Sequence, residues 1–168
     1  DIKETHIKKF TIQLGFSCNM SCSYCLQSKA KKVNFNQEHC DKILDQLNNT
    51  DLSNTKIEFW GGEPLLYIEK IKYIVEHLIN KPHHFVIITN GMLLTLDLVK
   101  YFIDNNFNIT LSHDAQGQDV RGKEPLEKKE SLEAIKYLYH NHKGRFAINS
   151  VITKGNINTE ERLKYFGK

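Results

Sequence analysis

Short apolar, β-prone runs alternate along this chain with stretches of helical period, and turn residues separate them. Phe10-Thr-Ile-Gln-Leu-Gly15-Phe reads as a first strand. Asn36 is a good N-cap, and the helix it opens runs to about Asn48 with Cys40, Ile43, Leu44 and Leu47 on one face. Lys56-Ile-Glu-Phe-Trp60 is a second strand, and Tyr67 to Ile79 a helix aligning Ile68, Ile71, Val75 and Leu78. Phe85-Val-Ile-Ile-Thr89 is continuously apolar, as a buried parallel strand is. Asn90-Gly91 follows, a pair that often closes a hairpin. Leu98, Val99, Phe102 and Ile103 then repeat at helical spacing, so the reading is strand, turn, helix. Phe107 to Ser112 is the fourth strand, with Ile109 and Leu111 on one face and Thr110 and Ser112 on the other. A helix from about Ser131 to Tyr139 turns Leu132, Ile135 and Leu138 inward. Arg145 to Ile152 is the last strand, with Phe146, Ile148 and Ile152 opposite Ala147, Asn149 and Val151, and a helical start follows at Thr159. About five strands and five helices in alternation, spaced for βα units, predict an α/β fold with a parallel sheet and helices outside.

The 168 residues suffice for one domain with a real core. A net charge of +3 is too small to indicate a nucleic-acid binder. No apolar run reaches transmembrane length and no signal peptide is evident. Four cysteines without a secretory signal point to a reducing cytoplasm. The chain starts at Asp1 and stops soon after a helical start, so it is expected to be one domain (1–168) of a longer protein, truncated at its C-terminal side.

Candidate chemistry concentrates in Cys18-Asn-Met-Ser-Cys22-Ser-Tyr-Cys25, a loop just past a strand end, where parallel sheets place their functional groups. Three close thiolates can wrap an inorganic cluster. An iron–sulfur cube normally takes four cysteines, so here one iron would be left for a small molecule. A structural zinc site needs a fourth ligand and more regular paired spacing. Disulfides within eight residues would close very short loops and leave an odd thiol. Unligated cysteines are the remaining alternative. Cys40 lies on an apolar stripe, where a thiol acts as a small hydrophobe. Lys29-Ala-Lys31-Lys32 reads as a solvated loop or as a contact for an acidic substrate. In Gly61-Gly62-Glu63-Pro64 the glycines permit close approach, Glu63 offers a carboxylate at a strand end, and Pro64 opens the next segment; an ordinary turn is the alternative.

The spacing C-x3-C-x2-C, with Tyr24 before the last cysteine, resembles the signature of radical S-adenosylmethionine (SAM) enzymes. Ile-Glu-Phe-Trp-Gly-Gly-Glu-Pro-Leu-Leu is most similar to the peptide- and protein-modifying branch, which includes maturases of ribosomal peptides and of sulfatases. The resemblance implies a partial (βα) barrel, of which this chain supplies about five of six units; the sixth strand and auxiliary-cluster cysteines are not in it. It implies that Cys18, Cys22 and Cys25 hold a [4Fe–4S] cluster whose fourth iron binds SAM. Gly61, Gly62 and Glu63 would steady the amino group of SAM, and Ser112 with Arg121 its carboxylate, which a guanidinium grips through two parallel bonds. Tyr24 would pack near the adenine, Thr89 and Asn90 would meet the ribose, and Asn149 would line the barrel interior. Ala115 stands where the family often has glycine. His113 reads as a surface or turn residue outside the chemistry.

The implied reaction uses an external one-electron reductant. Reductive cleavage of SAM gives a 5′-deoxyadenosyl radical, which takes hydrogen from a peptide or protein. The cofactors carry that chemistry, and no catalytic residue on the substrate side is identified. Two alternatives stand beside it. One is a radical SAM enzyme for a small molecule or RNA. The other is a non-catalytic iron–sulfur fragment or interaction module.

Overall fold

The computed structural model describes residues 7–27, 29 and 35–167. Strands β1 (Lys9–Gln13), β2 (Lys56–Trp60), β3 (His84–Thr89), β4 (Phe107–Ser112) and β5 (Phe146–Asn149) form one sheet, parallel throughout and in chain order. Helices α1 (Gln37–Asn48), α2 (Ile68–His77), α3 (Leu96–Asp104) and α4 (Lys129–Asn141) provide the crossovers that parallel neighbours require, and α5 (Thr159–Phe166) follows β5.

Register explains why the two faces of the sheet differ. Ile57 pairs with Phe85, Phe85 with Phe107, and Ile87 with Ile109, so one row of alternate residues is apolar across the sheet. These side chains join buried residues of α1 to α4 in a single core. The rings of Phe59, Phe85 and Phe107 stack at centroid distances of 5.0 to 6.0 Å, and Phe102 of α3 closes on Phe107 at 4.8 Å. The opposite face carries Thr11, Glu58, Asn108 and Thr110 among others and is not covered by helices. This is a partial barrel sheet, polar on its open side. Val86 and Ile88 of β3 are half-buried there, so β3 is not sealed on both faces as its apolar run suggested.

Helix α1 begins where the Asn36 side chain accepts the His39 N–H at 3.1 Å, and Cys40 is fully buried on its inner face. Helix α2 starts one residue later than expected because Glu63 caps a separate 3₁₀ turn at Pro64–Tyr67. Strand β5 is shorter than Arg145–Ile152. The Val151 N–H is taken by Asp114 Oδ1 at 2.9 Å, and Asn156 Nδ2 donates to the Val151 and Asp114 carbonyls, both at 2.9 Å. The chain therefore leaves the ladder after Asn149, and Ile152 lies exposed outside the strand. Helix α4 starts two residues earlier than read, and its buried face is Ser131, Ala134, Ile135 and Leu138. No helix among the described residues is long and apolar enough to cross a membrane.

Candidate functional site

The cysteine loop grows directly out of β1 and is held along the end of β2. Leu14 N–H donates to Trp60 O at 3.0 Å, Gly62 N–H to Gly15 O at 3.0 Å, and Glu63 N–H to Ser17 O at 2.9 Å. Pairing thus continues past both strands up to the residue before Cys18. A Cβ on Gly61 would sit 2.3 Å from Gly15 O, and one on Gly62 2.3 Å from Ser17 O. Both obstacles are backbone, so only glycine lets the two segments touch. The close approach expected at Gly61 and Gly62 is therefore made to the stem of the cysteine loop. Tyr67 supports the stem from below, its hydroxyl accepting the Ser17 N–H at 3.1 Å.

Glu63 is turned inward rather than presented at the strand end; its side chain is only 1% exposed. Its Oε1 accepts from Thr89 Oγ1 at 2.7 Å and from Leu65 N–H at 3.1 Å, and its Oε2 accepts from Asn90 N–H at 2.8 Å. Thr89 lies on the helix-covered face, and its hydroxyl also accepts the Gly91 N–H at 3.1 Å. The Thr89 hydroxyl thus braces β3 against Glu63. Asn90 carries the brace onward, its Nδ2 donating to Asn19 Oδ1 at 2.7 Å and lying 3.9 Å from Cys18 Sγ.

Burial pushes the Glu63 carboxyl above its ordinary value, against the opposing hydrogen bonds from Asn90, Thr89 and Leu65 and the charge of Arg121. The folded chain then holds this proton more tightly than the unfolded chain. Stability from this group is present below the unfolded carboxyl value and falls as pH rises through the folded one. The stability of wild type relative to Glu63→Gln should therefore decline as pH rises from about 4.5, a comparison in which other titrating groups cancel. Urea unfolding of both chains over a pH series measures it; a difference that grows with pH would exclude this assignment.

A second tie runs from the loop to the end of β4. Ser23 N–H donates to Val120 O at 2.9 Å. The Tyr24 hydroxyl donates to Asp114 Oδ2 at 2.5 Å and accepts from Arg121 Nη1 at 2.7 Å. Asp114 is fully buried and Arg121 nearly so, with 3.8 Å between Asp114 Oδ1 and Arg121 Nη1. Burial, then the Asp114 hydrogen bond, pushes the Tyr24 phenol far above its ordinary value, so it stays protonated and able to donate. Two groups are left with spare bonding capacity. Among the described residues Arg121 Nε is buried without a partner, and Ser112, half-buried on the open face of β4, has no side-chain hydrogen bond.

The residue after Asp114 explains a departure noted in the sequence. Ala115 has φ of 54°, the left-handed region that costs a residue with a Cβ about 1–2 kcal/mol and suits glycine. His113 is not a surface residue. It is fully buried, with Nδ1 accepting the Ala115 N–H at 2.9 Å and Nε2 bonded to Glu124 Oε1 at 2.8 Å. Asn149 is exposed at the end of β5 on the same face as Ser112, its register partner. Lys29 is exposed, while Lys31 and Lys32 lie outside the described residues. Asp114, Asn19 and Tyr67 were not assigned a role from the sequence. Of these only Asp114 carried a signal, its place beside Ser112 at a strand end.

The three thiols share one loop, with Cys18 and Cys25 each within electrostatic reach of Cys22. Among the described residues no three metal-binding side chains gather round one point. A cube takes one thiolate per iron and so needs thiols that are spread but mutually close. Cys22 is half-buried and within electrostatic reach of Cys18, Cys25 and Arg121. The guanidinium offsets the negative charge that three thiolates would bring.

A parallel partial barrel with a three-cysteine loop fastened to its strand ends defines a class of α/β protein built around a cluster. The chain belongs to the radical SAM superfamily, whose family model matches residues 12–166. That family uses a [4Fe–4S] cluster and S-adenosylmethionine. The chain is 23% identical over 172 residues to the radical SAM cyclopropyl synthase TigE of Paramaledivibacter caminithermalis, covering 88% of this chain and 36% of that protein. It is 28% identical over 168 residues to the 7-carboxy-7-deazaguanine synthase of Methanocaldococcus jannaschii, covering 89% and 66%. Its fold matches native anSMEcpe with bound AdoMet and Kp18Cys peptide at a TM-score of 0.81 and 21% identity, over 96% of this chain and 48% of that one. The chain therefore spans between about a third and two-thirds of these proteins.

Proposed function

We propose that this chain is the catalytic core of a cytoplasmic radical SAM enzyme that modifies a peptide or protein. The observation that carries the reading is the Cys18–Cys25 loop fastened to the ends of β2, β3 and β4, with Arg121 beside Cys22. Cys18, Cys22 and Cys25 would hold the [4Fe–4S] cluster. When bound, that group and SAM supply one-electron cleavage of SAM to a 5′-deoxyadenosyl radical, given an external reductant.

The chain's own residues orient and enclose the site. The Gly61 and Gly62 backbone lies beside the loop stem and offers carbonyls to an ammonium. Arg121 Nε and the Ser112 hydroxyl have capacity to receive a carboxylate. Glu63, Thr89 and Asn90 brace β2, β3 and the loop against one another, while Tyr24 and Asp114 fix the guanidinium. Tyr24 would pack near the adenine of SAM, and Asn149 would border the open face toward substrate.

A peptide substrate is supported by the Gly-Gly-Glu-Pro-Leu-Leu context and by the fold match to a structure that holds a peptide. The identity to 7-carboxy-7-deazaguanine synthase supports a second reading, a small-molecule substrate. The test is anaerobic reconstitution with iron and sulfide, reduction, and electron paramagnetic resonance with and without SAM. A reduced-cluster signal that changes on adding SAM is expected. A signal indifferent to SAM would replace the enzyme reading with a non-catalytic iron–sulfur module.

A further inference from the structure

The end of the sheet opposite the cysteine loop holds a second concentration of polar side chains. On the open face, register sets Lys9, Lys56 and His84 side by side at the starts of β1, β2 and β3. Ile109 N–H donates to Arg145 O at 2.8 Å, which brings Arg145 to the same end of the sheet beside β4. These four residues, with Glu58 and Asn108, are among those lining a cavity of about 330 Å³.

The lining is rich in cationic donors, with Glu58 as its one carboxylate. Glu58 Oε1 accepts from Lys9 Nζ and Thr11 Oγ1, each at 3.3 Å. Arg145 donates through one Nη to Asn106, leaving the rest of its fork. The Lys56 ammonium has no ion pair among the described residues. His84 is 8% exposed, and its Nε2 is buried without a hydrogen-bond partner among the described residues. An orphaned buried nitrogen is costly and normally marks a missing partner. In the tautomer that carries its proton on Nε2, the partner this nitrogen lacks is an acceptor.

We propose that this cavity binds a small oxyanion, a carboxylate or phosphate group, through Lys56, Arg145 and His84. A guanidinium fork, an ammonium and an imidazole N–H together match the several acceptor lone pairs of such a group. The site is distinct from the cysteine loop. Five residue steps along β3 separate His84 from Thr89, about 17 Å at the usual rise of a strand. An anion bound here cannot be the carboxylate of a SAM molecule at the loop. It is either a free ion or the acidic end of a longer ligand lying along the open face. Burial, and then the charges of Lys56, His83 and Arg145, lower the His84 pKa, which is the field an anion would relieve. Lys9 adds to that field and Glu58 opposes it.

The site does not depend on the cluster, so the 168-residue chain can be tested without iron. The His84 ring signals are followed by nuclear magnetic resonance during titration with inorganic phosphate, and separately with acetate, at constant ionic strength. A saturable shift is expected, with binding at least about tenfold weaker in Lys56→Ala/Arg145→Ala. The probe that saturates at lower concentration identifies which oxyanion the site prefers. No shift, a shift linear in concentration, or an equal response in the variant would overturn the proposal. Lys56→Gln alone replaces the double variant if circular dichroism shows that the latter has lost its helices.

Discussion

Cys22→Ser is expected to abolish iron–sulfur binding, leaving less than about a tenth of the wild-type iron and acid-labile sulfide per chain after anaerobic reconstitution. Loss of a partner behind a ligand already costs 10–100-fold in metal affinity, and loss of the ligand costs more. Cys22 lies between the other two thiols in the loop and within electrostatic reach of Arg121. A serine hydroxyl is a harder and far less acidic ligand than a thiol. Burial pushes the Cys22 thiol up from its ordinary value, and the Arg121 charge only partly offsets this. The apo thiol is therefore held protonated at neutral pH, and cluster assembly must release that proton. Assembly in wild type should accordingly be faster near about pH 8.5 than near about pH 6.5. Cys40→Ala provides the control. Cys40 is sealed in the core on α1, so its loss should leave iron content unchanged. Iron retained by Cys22→Ser, or lost in Cys40→Ala, would overturn the assignment of ligands.

Local patterns exposed the fold because each element announced itself within a dozen residues. The 3.6-residue stripe of α1 even settled Cys40 as core rather than ligand. The alternation in β4 separated the apolar face from the face of Ser112. The errors came where a long-range bond overrode a local preference. Strand β5 was read through Ile152, and nothing in that run of residues reveals that Asp114, 37 positions earlier, captures the Val151 N–H. Glu63 and Thr89 are legible as polar groups at strand ends, but the bond that joins them across two strands is not. Tyr24 reads as an aromatic beside a cysteine. Its hydroxyl partners lie 90 and 97 residues away, beyond any local signal. The strand ends that carry these residues were thus legible, while the bonds that fix the side chains' orientation were not.

That unseen latch carries the second large effect. Asp114→Ala is expected to destabilise the chain by about 3–5 kcal/mol, because it leaves the buried Arg121 charge without its compensating carboxylate. It also strips the Tyr24 hydroxyl of its acceptor and the Val151 N–H of its partner, so the loop after β5 loosens together with the cysteine loop. Asp114→Asn keeps an oxygen for Val151 but removes the charge and puts an amide donor where the Tyr24 hydroxyl had an acceptor; its cost should still be smaller than that of alanine, about 1–3 kcal/mol. Urea unfolding of the iron-free chain measures both and separates the latch from any ligand effect. A double-mutant cycle with Tyr24→Phe tests whether the two side chains act together; a coupling of about 0.5–3 kcal/mol is expected for groups in direct contact. Additive losses would mean that Tyr24 and Asp114 serve the loop independently. If the coupling holds, the geometry of Arg121 depends on a tyrosine inside the cysteine motif. The group poised for a carboxylate is then set in place by the same loop that carries the thiols, and a disturbance of either end reaches the other through one hydroxyl.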